Sequence, residues 1–248
     1  MESETTNSLP YLLNLGKHPE VNNITTFMHE ANRIDPEVLA EEYSEVRDSA
    51  PQRHKRDPQK LYLVDHIGSD KPPYPDPSSE KQRAFNLWKD ARSGKLMELP
   101  SGEVLEILDY ETPLTAWQSE GVGEIDLFGL IDDRLMAVIE LKILRQGGDA
   151  DTPLHAFLEA LAYCAIVEKN ASDIACEVDN KFKKTVDAGP PNLVVMAPED
   201  YWSKFLNHRK AGDWLPVLIN LASEIENRTR VATHFVGLGD SKLFSIAE

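Results

Sequence analysis

Between Gly121 and Lys142 the chain reads GVGEIDLFGLIDDRLMAVIELK, two apolar runs joined by a short polar turn. Ile125, Leu127, Phe128, Leu130 and Ile131 make the first run. Leu135, Met136, Ala137, Val138, Ile139 and Leu141 make most of the second, which continues to Ile143 and Leu144. Runs of this length predict two strands buried on both faces. Asp126, Glu140 and Lys142 are then charges set inside apolar strands, where charges are seldom placed unpaired. Side chains alternate along a strand, so Glu140 and Lys142 share a face and Leu141 takes the other. A three-residue loop, Asp132-Asp133-Arg134, pairs Ile131 with Leu135 and sets Asp126 opposite Glu140 on that same face; a two-residue turn sends Asp126 to the wrong one. We expect the odd loop or a bulge, and one shared face for the three charges.

Two carboxylates at cross-strand distance in an apolar setting repel each other and are costly to desolvate unless a cation sits between them. A hard divalent ion meets both needs: Mg²⁺ takes one or two carboxylates and leaves the rest of its shell to water and substrate phosphate, and Mn²⁺ suits the same oxygen ligands. A lysine beside such a site can orient a metal-polarised water. Glu-x-Lys on a strand is also common as a solvent-facing ion pair, and short motifs carry a high false-positive rate. The apolar flanks on both strands favour a functional reading.

An acidic residue on one strand of a hairpin, then (D/E)-x-K on the next, then a helix against the same sheet, is the pattern of the PD-(D/E)XK nuclease superfamily. Asp126 and Glu140-Leu141-Lys142 resemble it over the central third to half of the chain. The resemblance implies an α/β, restriction-endonuclease-like fold with a central mixed sheet flanked by helices. It implies Mg²⁺ (or Mn²⁺) held by Asp126 and Glu140 with the Leu141 carbonyl, Lys142 as the catalytic lysine, and nucleic acid as substrate, DNA rather than RNA. In that superfamily a helix before the hairpin often adds an acidic ligand. Ser78-Ser79 followed by EKQRAFNLWKDARSG predicts such a helix, with an apolar face from Ala84 to Ala91 and Gly94 as its stop. Glu80 is its candidate ligand, or else a first-turn residue that suits the helix dipole; Glu106 and Glu111, on and after the strand expected over 103–110, are reserves. After the hairpin, Thr152 and Pro153 open a helix through LHAFLEALAYCAIVEK, which puts Glu159 and Tyr163 on one face. The RecB-like branch carries Gln and Tyr at this spacing. Tyr163 agrees and Glu159 departs, so Glu159 is read as a hydrogen-bond partner of Lys142, an addition to the metal shell or a surface residue.

The remaining chain is expected to complete the sheet: NLVVMA as a central strand, a helix after Pro198, another over 214–227, and a last strand in VATHFVGL. Toward the N-terminus, residues 1–78 read as a partly helical extension and linker, with a helix from Asp35-Pro36 to Val46, Pro-rich stretches, and a single candidate strand, LYLVDHIG, between them. The domain is then 79–248. The extension offers a surface for a protein partner or a second copy of the chain. No apolar run is long enough for a membrane span, no secretory signal is visible at the start, and Cys164 and Cys176 lack metal-ligand spacing, which together suggest a cytoplasmic protein. The formal net charge of −16 argues against a protein that coats nucleic acid nonspecifically. It supports the other function class, a nuclease-fold protein of weak or no activity that serves as an interaction module.

Overall fold

Among the described residues, seven strands form one mixed sheet whose order is the order of the chain: β1 (Met97–Glu98), β2 (Val104–Pro113), β3 (Glu124–Ile131), β4 (Leu135–Leu141), β5 (Asn192–Pro198), β6 (Thr233–Leu238) and β7 (Leu243–Ser245). This is a computed structural model, and it describes residues 18–64, 66, 76, 78–116, 122–239 and 243–246. The polar start of the chain, Gly121 and most of the Pro-rich stretch after Val64 lie outside the described residues. Strands β1 to β4 are an antiparallel meander, β4, β5 and β6 are parallel, and β7 returns antiparallel. Parallel neighbours need crossovers, and helices supply them. Between β4 and β5 run α5 (Pro153–Lys169) and α6 (Ala171–Phe182); between β5 and β6 run α7 (Glu199–Leu206) and α8 (Trp214–Thr229). Before the sheet come α1 (Phe27–Arg33), α2 (Pro36–Ser49), the single turn α3 (Arg53–Arg56) and α4 (Glu80–Arg92). The chain is thus α/β, with a mixed sheet flanked by helices.

The hairpin takes the three-residue loop. Ile131 pairs with Leu135, Phe128 with Val138 and Leu127 with Ile139. Asp132 and Asp133 adopt left-handed φ of 49° and 60°, a conformation that Asp tolerates better than most residues. Asp132 also fastens the loop to β2, because its carboxylate accepts the Val104 N–H at 2.8 Å.

Alternation then sorts the strands between two apolar layers. Leu127, Ile131, Ala137, Ile139 and Leu141 face α4, packing with Ala84, Phe85 and Trp88. Phe128, Leu130, Met136 and Val138 face the larger layer built on α5, whose residues Leu154 to Val167 are buried save Glu159 and His155. A helix enclosed on nearly all sides needs partners beyond the sheet, and α2, with smaller contacts from α1 and α6, provides them.

Several expectations require correction. The apolar pattern predicts one helix between β4 and β5, and the structure has two. Asn170 breaks the run, its side-chain amide donating to Ile166 O (2.8 Å) and Pro51 O (3.0 Å), the local competition that makes Asn a poor interior helix residue. The short β1 and β7 carry too little pattern to be read in advance. Leu61–Val64 form no strand. From the region before residue 79, Val21, Phe27, Leu39, Tyr43, Tyr62 and Leu63 are fully buried in the α5 layer. Among those residues, no helix is long and apolar enough to cross a membrane.

Candidate active site

Glu140 and Lys142 emerge on the α5 face of the sheet, with side chains 4% and 5% exposed. Backbone bonding there is divided between two neighbours. Lys142 N–H donates to Met196 O on β5 at 2.9 Å. Leu141 N–H instead turns toward β3, where the Asp126 carboxylate receives it at 2.9 Å. A residue's N–H and C=O share one edge of a strand, so the Leu141 carbonyl is directed to that side as well. Asp126 therefore ends the hairpin ladder with a side chain, opposite Glu140 in the register set by the loop.

Around these three the structure gathers the residues named from sequence on the helices. Lys142 Nζ lies 2.6 Å from Glu140 Oε1 and 3.2 Å from Glu159 Oε2. Glu159 in turn accepts from the Tyr163 hydroxyl at 3.1 Å. Glu80, at the start of α4, arrives from the other side of the sheet beyond the end of β4 and accepts the Ile143 N–H. It shares the field of Lys142 and Arg145. Asp126, Glu140, Lys142, Glu159, Tyr163 and Glu80 thus converge. The two reserves do not join them. Glu106 sits toward the hairpin turn, ion-paired with Lys184, and Glu111 is ion-paired with Lys81.

Burial sets the electrostatics. It pushes the Asp126 carboxyl up to about 7, against the pull of Lys142 and the Leu141 N–H, and Glu80 and Glu159 push the same way as burial. Glu140 is raised well above the carboxylate range for the same first reason. Burial alone would lower Lys142; the surrounding carboxylates, Glu140 foremost, outweigh it and hold the ammonium charged. Burial works against ionisation of Glu159 too, but Lys142 and His155 bring it below its usual value. His155 is itself lowered by burial, and its Nδ1 is buried without a hydrogen-bond partner.

Sequence reasoning missed the loop that closes the site. Arg145 pairs with Asp151 at 2.7 Å, and Asp151 also accepts from Asn22 at 2.6 Å. Asn22 then takes the Thr152 N–H at 2.8 Å. The start of the described chain therefore braces the segment joining β4 to α5. A polar run from Arg145 to Thr152 between two apolar elements is the available signal.

The arrangement offers hard oxygen donors around one ammonium. Among the described residues, no three His, Cys, Asp or Glu side chains stand close enough together to hold a metal as they are placed. The donor chemistry nevertheless fits a hard divalent cation: Glu140 Oε2 is buried with no hydrogen-bond partner, and across from it burial raises the Asp126 carboxyl to about 7. Lys142 serves as counter-ion to Glu140 in this geometry. Comparison of the chain with protein-family models, with curated proteins and with solved structures found no match.

Proposed function

We propose that this chain is a divalent-metal-dependent nuclease of restriction-endonuclease-like fold that hydrolyses phosphodiester bonds, with DNA as its substrate. One observation carries the reading: the three-residue hairpin loop brings Asp126, Glu140 and Lys142 to one buried face, against Glu159 and Tyr163 of the following helix. Asp126 and Glu140 are the residues that would hold Mg²⁺ or Mn²⁺, with the Leu141 carbonyl and Glu80 beside them. When bound, such an ion supplies Lewis-acid polarisation of a phosphate oxygen and of the attacking water.

The chain's own groups do the rest. Glu159 and Tyr163 form a relay that fixes the buried Lys142 ammonium within the site, where it orients water and meets charge that develops on the phosphate. With the Glu140 charge met by another cation, Lys142 has donors to spare for substrate. Leu141 N–H keeps one oxygen of Asp126 in place, so the other is directed into the site.

A second reading has support in the net charge of −16 and in the pairing of Lys142 with Glu140, which gives each charge a partner without substrate. In it the fold is a partner-binding module without activity. Purified protein incubated with plasmid, linear duplex and single-stranded DNA in Mg²⁺, Mn²⁺ or EDTA separates the two. The nuclease reading expects metal-dependent cutting that Asp126→Asn lowers by about 100-fold or more, the scale on which metal and oxyanion contacts act. Absence of cutting on every substrate, with no divalent-ion uptake by calorimetry, would favour the partner-binding module.

A further inference from the structure

Two strands from β4, sharing no residue with the candidate active site, a groove runs along the outer edge of β6. Strand β7 pairs with Val236, Gly237 and Leu238 alone, so among the described residues no strand lies beside Thr233–Phe235 on that edge. Ile246, the residue after β7, turns its side chain into the α5 layer instead of extending the ladder. The parallel register with β5 decides where the backbone of β6 points. Ala232 O receives the Leu193 N–H at 2.8 Å, so alternate residues from 232 turn toward β5, while Thr233 and Phe235 direct their N–H and C=O groups to the open edge.

The groove holds a pocket of about 310 Å³, at the small end of ligand sites, which span roughly 300–1,000 Å³. Ile219, Ala222, Ser223 and Glu226 line it from one face of α8, at helical spacing, and Pro100 and Ser101 of the β1–β2 turn line it as well. Ile219 is a large apolar side chain left 36% exposed. Thr233 Oγ1, also in the lining, is buried without a hydrogen-bond partner, although a hydroxyl can donate and accept. The field of the pocket is negative. Glu226 makes no ion pair or side-chain hydrogen bond among the described residues, and Glu103 is met there only by the Ser101 hydroxyl at 2.7 Å. Both carboxylates reach His234, but burial outweighs them and holds its imidazole below the ordinary value, so it brings no compensating charge at neutral pH.

We propose that this groove docks an extended, basic segment of a partner protein, which adds as a strand beside Thr233–Phe235 and sets a lysine or arginine side chain against Glu226. The open edge supplies the backbone donors and acceptors of strand addition. The Thr233 hydroxyl offers one more polar contact, and the apolar part of the α8 face takes the stem of a long basic side chain. Glu226 and Glu103 select its charge, and the net charge of −16 steers a basic segment toward the molecule. This surface is independent of the nuclease reading and stands whether or not the chain cleaves nucleic acid.

The test is fluorescence anisotropy of the full chain with a fluorescein-labelled octapeptide of alternating valine and lysine. Two companion peptides carry glutamate for lysine, or methyl groups on the backbone nitrogens. The lysine peptide is expected to bind, and each companion to bind about 10-fold more weakly or less. Glu226→Gln removes the charge, and Ser223→Trp fills the groove from the same helix face; both positions are exposed. Each variant is expected to weaken the lysine peptide about 10-fold. Thermal melting establishes that the variants fold, and Glu226→Gln, nearly equal in size, carries the test where bulk at 223 prevents folding. Failure of the wild type to bind, equal binding of the glutamate peptide, or wild-type affinity in the folded variants overturns the docking surface. Loss with Ser223→Trp alone overturns the assignment of the basic side chain to Glu226. Equal affinity for the methylated peptide overturns strand addition.

Discussion

Lys142 is a single ammonium in the field of carboxylates from four elements, and its removal exposes what it offsets. Without it, Glu140 keeps a buried charge or takes up a proton, and Glu159 keeps only the Tyr163 hydroxyl of its two donors. Breaking a buried pair by deleting one member costs about 3–5 kcal/mol, whereas neutralising both members costs far less. Lys142→Met is therefore expected to unfold at markedly lower urea concentration than the wild type, and Glu140→Gln/Lys142→Met to recover most of the loss; equal midpoints for single and double variants would refute the pairing. His66 carries a different prediction. Burial lowers its pKa, but the hydrogen bond and charge of Asp109 outweigh that and raise it above the ordinary 6.5. A raised value means that the folded state binds the proton more tightly than the unfolded one. The stabilisation is then complete below about pH 6.5 and is lost as pH rises through the folded value. His66→Gln is expected to flatten the melting temperature against pH in that window, and an unaltered profile would remove the His66–Asp109 pair as its source.

The elements that frame the site are fastened by side chains reaching across large distances in sequence. On α6, Glu177 is 6% exposed and accepts the backbone N–H groups of Tyr62 (2.9 Å) and Leu63 (2.8 Å), with His54 Nε2 at 2.7 Å. A carboxylate thus replaces the strand partner that this segment lacks. Glu177→Ala leaves two buried donors unmet, at about 1–3 kcal/mol each. We expect it to lower stability accordingly and to open residues 51–64 to limited proteolysis, while Glu177→Gln, which keeps one acceptor, stands between. This anchor explains why the segment reads poorly from sequence. Leu61–Val64 look like a strand or a surface arm because nothing near them in the chain satisfies their backbone, and the group that does is more than a hundred residues away. The hairpin is the opposite case. Its apolar runs and alternation are local, so the two strands and the shared face of Glu140 and Lys142 are legible in the amino-acid sequence; the turn length, on which the face of Asp126 depends, is open in the sequence and is fixed by the pairing of Ile131 with Leu135.

At the scale of the whole molecule, legibility stops where tertiary partners choose the outcome. Glu80 can be nominated on its helix, but only the sheet brings it to Ile143 N–H; Arg145, Asp151 and Asn22 form their chain of contacts through a loop that no periodicity describes. The early part of the chain reads as an appendage because its apolar residues are spread over short pieces. Phe27, Leu39, Tyr43 and Tyr62 nevertheless complete the layer around α5. A chain beginning at residue 79 is accordingly expected to expose that layer and to be insoluble or to bind a hydrophobic dye; a monomeric, cooperatively melting 79–248 fragment would uphold the division at 78/79. The sheet's sequential order has a consequence for how such a chain comes together. Strands β1 to β4 zip using residues 97–141 alone, with only short loops to close, whereas α2 must wait for α5 and α8, its packing partners. α2 thus precedes the strands and α8 in the chain yet is among the last elements to find its place. Until α8 is made, Phe27, Leu39 and Tyr43 have no finished layer to enter and stay exposed.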